Sequence, residues 1–251
     1  DWNDSGWKYI TCLNTDEVGN YLEQKVVNKV FYGFTESGTM RSIASFVTTI
    51  NQNAFSTNGN MSSLSLPDAL TSYDDDVFDD CTSLQSFSIS ENNTKYKTVN
   101  GVLYTKDGTK LIRYPIAKSS TSFTVPSGVT AIGYSAFYKN ANLTSITVKS
   151  PVDTIYRFAF GYAKKLKSID LPSSVSVVYA KAFDGLSLDK IILRAKKPSV
   201  AEDAFNTGKV TNVYYAGGTN DWSSSEWKTA LDGKYTNISY GVYIADGVLL
   251  S

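Results

Sequence analysis

Apolar positions along this chain repeat on a beat of 22–23 residues. The blocks VTAIGYSAFYKNANLTSITV (129–148) and VDTIYRFAFGYAKKLKSIDL (152–171) keep their apolar residues and exchange their polar ones. Anchored on the Phe of an Ala-Phe pair, with Val77 in place of Ala in the second copy, the pattern recurs at Phe55, Phe78, Phe137, Phe160, Phe183 and Phe205, with spacings of 23, 59, 23, 23 and 22. Five residues before the Phe stand Ile50, Tyr73, Ile132, Ile155 and Val178. After it come Met61, Leu84, Leu143, Leu166, Leu188 and Val210, then Leu64, Phe87, Ile146, Ile169, Ile191 and Val213. Leu66, Ile89, Val148, Leu171, Leu193 and Tyr215 close the series. A degenerate earlier copy is read with Tyr32 as its anchor, 23 residues before Phe55.

Self-similarity at a fixed period marks a repeat architecture. So short a unit does not bury its own apolar face, but stacked on a near-copy it does. Each apolar position then becomes a ladder, and every buried Phe stabilises by roughly 2 kcal/mol. Solvent-facing positions are left free to vary. Units end in L-x-x-I-x-V, as in LTSITV and LKSIDL, and this alternation predicts a short strand. Successive strands pair in parallel, and polar turns such as VPSGV and LPSSV reverse the chain.

The signature V-x-x-I-x-x-x-A-F-x-x-x-x-x-L-x-x-I-x-V, over roughly 47–215, resembles the BspA-type leucine-rich repeat family of bacterial surface proteins. The resemblance implies a right-handed leucine-rich repeat solenoid. Its curved parallel sheet lies on the concave face, with short turns, 3-10 segments or short strands on the convex face. Residues 1–22 are expected to form an N-terminal cap or flank, 23–215 the repeat array, and 216–251 a C-terminal cap and tail. A hairpin insertion is expected at 90–124, where Lys-Asp-Gly (106–108) separates two apolar-alternating runs. Its Tyr96, Tyr104 and Tyr114 either pack on the solenoid or form an exposed binding lip. Ser223, Ser224 or Ser225 is expected to N-cap a short helix carrying Trp227. Thr15 or Asp16 offers a helix start at the other end.

Composition narrows the chemistry. The chain has no histidine, which excludes Ser-His-Asp and Cys-His catalysis and His-ligated metal sites on it. Two cysteines, Cys12 and Cys81, make neither a disulfide framework nor a zinc motif, and Cys81 reads as core. Nucleophile elbows, phosphate loops and dinucleotide fingerprints are missing from the sequence. The cluster Asp74, Asp75, Asp76, Asp79 and Asp80 is either a solvated acidic edge or a cation site. No cofactor is expected. Net charge is zero, so no general pull towards nucleic acid follows. The charge is uneven, with 10 basic and 14 acidic residues in 1–125 and the reverse in 126–251. No apolar run reaches membrane-helix length. The chain begins at Asp1, and a leader or anchor removed from it is an expectation here.

Function is sought on the strand face, where residues flanking the buried ones point outwards. The face begins with small hydroxyls, Ser63, Ser65, Ser86 and Ser88, and ends with long cationic and aromatic side chains. Candidate partner-binding residues are Lys149, Asp170, Lys190, Ile192, Arg194, Asn212 and Tyr214, against the alternative of a plain solvated sheet. The resemblance implies a non-enzymatic, extracellular or cell-surface adhesion module, monomeric, binding a host matrix or cell-surface protein. A glycan-binding accessory module and a structural spacer remain alternatives. No nucleic acid partner and no membrane insertion are expected.

Overall fold

The computed structural model describes residues 24–34, 38–149, 151–195 and 197–241, with backbone alone for Lys25, Met40, Tyr9–Ile10, Tyr243–Ala245 and Val248–Leu250. The expectations for Cys12, Thr15, Asp16 and the 1–22 cap lie outside the fully described residues. The chain divides into two compact units, Asp1–Asp107 with Tyr114–Lys118, and Gly108–Arg113 with Ser119–Ser251. Both are solenoid segments built from stacked coils with little helix.

The first unit holds β1 (Tyr9–Ile10), β2 (Gln24–Val27), β3 (Val30–Phe34), β4 (Met40–Ser42) and β5 (Thr49–Ile50). It continues with β6 (Ser63–Leu66), β7 (Ser72–Tyr73), β8 (Ser86–Ile89), β9 (Tyr96–Val99) and β10 (Val102–Thr105). β1, β2 and β3 pair antiparallel, and from β3 and β4 onward successive coils add strands in parallel to two sheets. β3, β5 and β7 place Phe31, Ile50 and Tyr73 in register. β4, β6 and β8 do the same for Arg41, Leu64 and Phe87. The expected anchor Tyr32 is not the counterpart of Phe55, because it is 36% exposed. Phe31 and Phe34 are buried instead, with ring centroids 5.6 and 6.3 Å from Phe55. β3 sets Phe31 opposite Ile50, so Tyr32 stands one residue past the inward strand position rather than at the turn that Phe55 occupies.

Within the 90–124 segment, β9 and β10 form an antiparallel hairpin. It turns at Asn100 and Gly101, whose φ values are 51° and 77°, the conformation an Asn-Gly turn favours. Tyr104 and Tyr114 are buried, and the half-buried Tyr96 donates its hydroxyl to the Thr71 carbonyl at 3.0 Å. These three tyrosines pack within the first unit rather than form a lip. Burial, and then the neighbouring Tyr114, pushes the Tyr104 hydroxyl up to about 12.

The second unit holds β11 (Lys110–Arg113), β12 (Ser122–Thr124), β13 (Ala131–Ile132), β14 (Ser145–Thr147), β15 (Thr154–Ile155) and β16 (Ser168–Leu171). It continues with β17 (Val177–Val178), β18 (Ser187–Leu193), β19 (Ser199–Val200) and β20 (Lys209–Tyr215). Then come α1 (Thr219–Ser223), α2 (Glu226–Leu231), β21 (Tyr235–Tyr240), and the antiparallel pair β22 (Tyr243–Ala245) and β23 (Val248–Leu250). One ladder runs Leu111, Ile132, Ile155, Val178, Val200. Another runs Phe123, Ile146, Ile169, Ile191, Val213, Ile238. β11 and β12 therefore supply a degenerate coil from inside the presumed insertion.

The Phe rail of this unit passes from Phe123 through Phe137, Phe160 and Phe183 to Phe205, with centroid separations of 5.8, 5.3, 5.5 and 4.6 Å. The backbone follows it, since Phe137 N–H donates to Ala159 O at 2.7 Å and Phe160 N–H to Ala182 O at 2.9 Å. Among the three candidate serines, Ser225 is the N-cap of α2 and accepts from Lys228 N–H at 3.2 Å. Trp227 is buried and donates its indole N–H to Ala195 O at 3.0 Å. The C-terminal segment is more than a cap, because β21 pairs in parallel with β20 and extends the sheet.

Candidate recognition surface

The longer strands β14, β16, β18, β20 and β21 position the candidate residues. Ile146, Ile169, Ile191 and Val213 turn inwards and are buried. Their neighbours in the chain therefore face outwards. Thr147, Asp170, Ile192, Tyr214 and Ser239 form one row across the strands. Ser145, Ser168, Lys190, Asn212 and Asn237 form the next. In the first unit the equivalent rows are Ser63 beside Ser86 and Ser65 beside Ser88.

The structure gathers six of the seven candidates into one patch. Asp170, Ile192 and Tyr214 are successive half-buried members of a single row, and Lys190 is exposed beside the half-buried Asn212. Asn212 donates its amide to Asp189 O at 3.0 Å and accepts from Asn237 Nδ2 at 3.1 Å. Lys149, also exposed, lies two residues beyond Thr147, at the margin of the patch.

Arg194 is not the outstretched cation that the sequence implies. Its Nε donates to Asp170 Oδ1 at 2.9 Å and its Nη2 to Asp170 Oδ2 at 2.8 Å. Such a fork is planar, charge-assisted and fixed in direction. The carboxylate raises the guanidinium pKa still further above its ordinary value, against the opposing effect of burial. The pair leaves Lys190 and Lys149 to set the sign of the patch. Asn237 and Ser239, which also belong to the face, were missed because β21 lacks the repeat signature.

The other candidates resolve into structure. Cys81 is wholly buried. In the aspartate cluster, Asp76 accepts from Gln52 Nε2 at 2.9 Å. Among the described residues, no three His, Cys, Asp or Glu side chains gather into a group able to hold a metal ion. Among the same residues, no helix is long and apolar enough to cross a membrane.

Comparison with known proteins agrees with this architecture. The model of the BspA type leucine rich repeat region matches six copies over residues 15–100 and 116–225, and the chain belongs to that family. The crystal structure of the pneumococcal vaccine antigen PcpA is similar at 21% identity and a TM-score of 0.53, over 80% of this chain and 67% of that one. A leucine-rich repeat protein from Eubacterium ventriosum is similar at 22% identity and a TM-score of 0.54, over 80% and 66%. A leucine rich cell surface protein from Faecalibacterium prausnitzii gives 24% identity and a TM-score of 0.57, over 78% and 52%. The chain thus spans about two thirds of the first two and about half of the third. None of the curated proteins matches it.

Proposed function

We propose that this chain is a non-enzymatic recognition module, displayed outside a bacterial cell, that binds an extracellular protein through the strand face of its second unit. One observation carries the reading. Ile192 and Tyr214 stand side by side on a rigid parallel sheet, flanked by a salt-bridged Arg194–Asp170 pair and the exposed Lys190. Aromatic and arginine side chains held in fixed orientation dominate protein interfaces. Side chains ordered beforehand lose less entropy on binding. Support for surface display comes from the family and from a neighbour described as a cell surface protein.

The test is binding to a panel of immobilised extracellular matrix proteins and neutral polysaccharides, at low and high salt. We expect saturable protein binding that Ile192→Glu weakens at least tenfold. Replacing Lys149 and Lys190 by Ala slows association and flattens the salt dependence, since exposed charges act through steering and are screened over about 8 Å at physiological salt. Protein binding indifferent to Ile192→Glu would displace the site from this face. Salt-insensitive binding to neutral glycan alone, lost in Tyr214→Ala, would replace the reading with an accessory module. Silence on both panels would favour a spacer.

A further inference from the structure

We infer a second binding site, for an acidic polysaccharide, at the Ala-Phe turns of the second unit and away from the strand face. A groove of about 480 Å³ lies there, lined by Tyr138, Lys139, Asn140, Tyr162, Lys164 and Lys165. Three ammonium groups share this lining with no carboxylate. The nearby carboxylate, Asp184, is 2% exposed and already saturated. It accepts from Tyr162 Oη at 3.0 Å, Thr207 N at 3.1 Å, Thr207 Oγ1 at 2.7 Å and Asn206 Nδ2 at 3.2 Å. A concave surface lined by one sign of charge concentrates ions of the other.

The backbone repeats one turn geometry along this side of the coils. Lys139 and Tyr162 each stand two residues after their Ala-Phe phenylalanine, at φ values of 55° and 56°. In the next coil this position is Gly185, at 67°. A side chain is sterically disfavoured in this left-handed conformation. Successive coils thus present Lys139 and Tyr162 from equivalent turn positions, stacked beside one another. Phe158, at 56°, occupies the other left-handed turn position, equivalent to Ser135 at 51° and Lys181 at 57°. Tyr138 meets the rings of Phe158 and Tyr162 edge-on at 5.8 and 5.6 Å, which fixes the aromatic wall of the groove.

The chemistry selects a sugar polymer over an acidic peptide. Tyrosine rings offer flat apolar faces with a polar tip, which suit pyranose rings, while the lysines pair with their carboxylates or sulfates. A polyglutamate chain would engage the lysines alone. The probes are heparin, polygalacturonate, dextran and poly-glutamate, titrated against the whole chain by calorimetry. We expect heparin or polygalacturonate to bind in a salt-sensitive manner, and dextran not to bind. Lys164→Glu with Lys165→Glu should weaken this at least tenfold. Tyr138→Ala should weaken it about fivefold without changing the salt slope, with unchanged far-ultraviolet dichroism showing that the variants are folded. Poly-glutamate binding as tightly as the acidic sugars, or retention of binding by the double charge reversal, would overturn the proposal.

Discussion

Phe160 lies between Phe137 and Phe183 with interplanar angles of 4° and 2°, so removing its ring opens a void bordered by two others. Phe160→Ala should destabilise the chain by about 3–5 kcal/mol in urea unfolding. Arg194→Ala acts differently. Its half-buried ion pair contributes about 1 kcal/mol to stability, yet its loss leaves the Asp170 carboxylate as a new negative charge beside Ile192. Near-unchanged stability with clearly weakened partner binding is the expected result, read from one urea melt and one binding isotherm. Residues of this kind are only partly legible in a sequence. The apolar ladder was readable because burial constrains residue type at a fixed period. The Arg194–Asp170 fork, 24 residues apart, was not, since a charged pair follows no period. Asn93 is similar: its amide donates to Asp68 O and Leu70 O at 2.9 Å each, and its Oδ1 accepts from Lys95 N and Tyr96 N. A buried asparagine closing a turn looks in sequence like any loop residue.

At the scale of the coil, the same hydrogen bonds that tie one turn to the next make stability depend on pH. Burial alone raises the Asp184 carboxyl pKa, but donation from Thr207, Tyr162 and Asn206 outweighs it and holds the group below its ordinary value. A carboxylate depressed in the folded state stabilises fully above its unfolded pKa of about 3.9, and this is lost as pH falls through the folded value. Asp184→Asn should therefore lower stability by roughly 1–3 kcal/mol at pH 7. The difference from the unsubstituted protein should shrink progressively as pH falls below the unfolded value of about 3.9, as followed by urea midpoints across the range. The coil also shows where reading by signature stops. β11 and β12 lack an Ala-Phe pair, yet Leu111 and Phe123 keep their ladder positions. Register is set by the inward residue of each strand, so a coil survives the loss of its turn motif. β21 joins the sheet on the same terms, with Ile238 opposite Val213.

Across the molecule, the second unit carries two surfaces of different chemistry on one set of ladders: a mixed row bearing Ile192 and Tyr214 on its longer strands, and a lysine-tyrosine groove at its turns. Because each ladder fixes its outward neighbours, the two surfaces are held by the same core and are altered by separate substitutions. The most direct measurement is a crossed comparison of two variants, Ile192→Glu with Tyr214→Ala, and Lys164→Glu with Lys165→Glu. Each is titrated against a matrix protein that the binding panel selects and against heparin. The first variant should lose the protein and keep heparin, and the second should do the reverse. Loss of both ligands by either folded variant, or of neither ligand by both, would contradict two separate recognition surfaces on this solenoid.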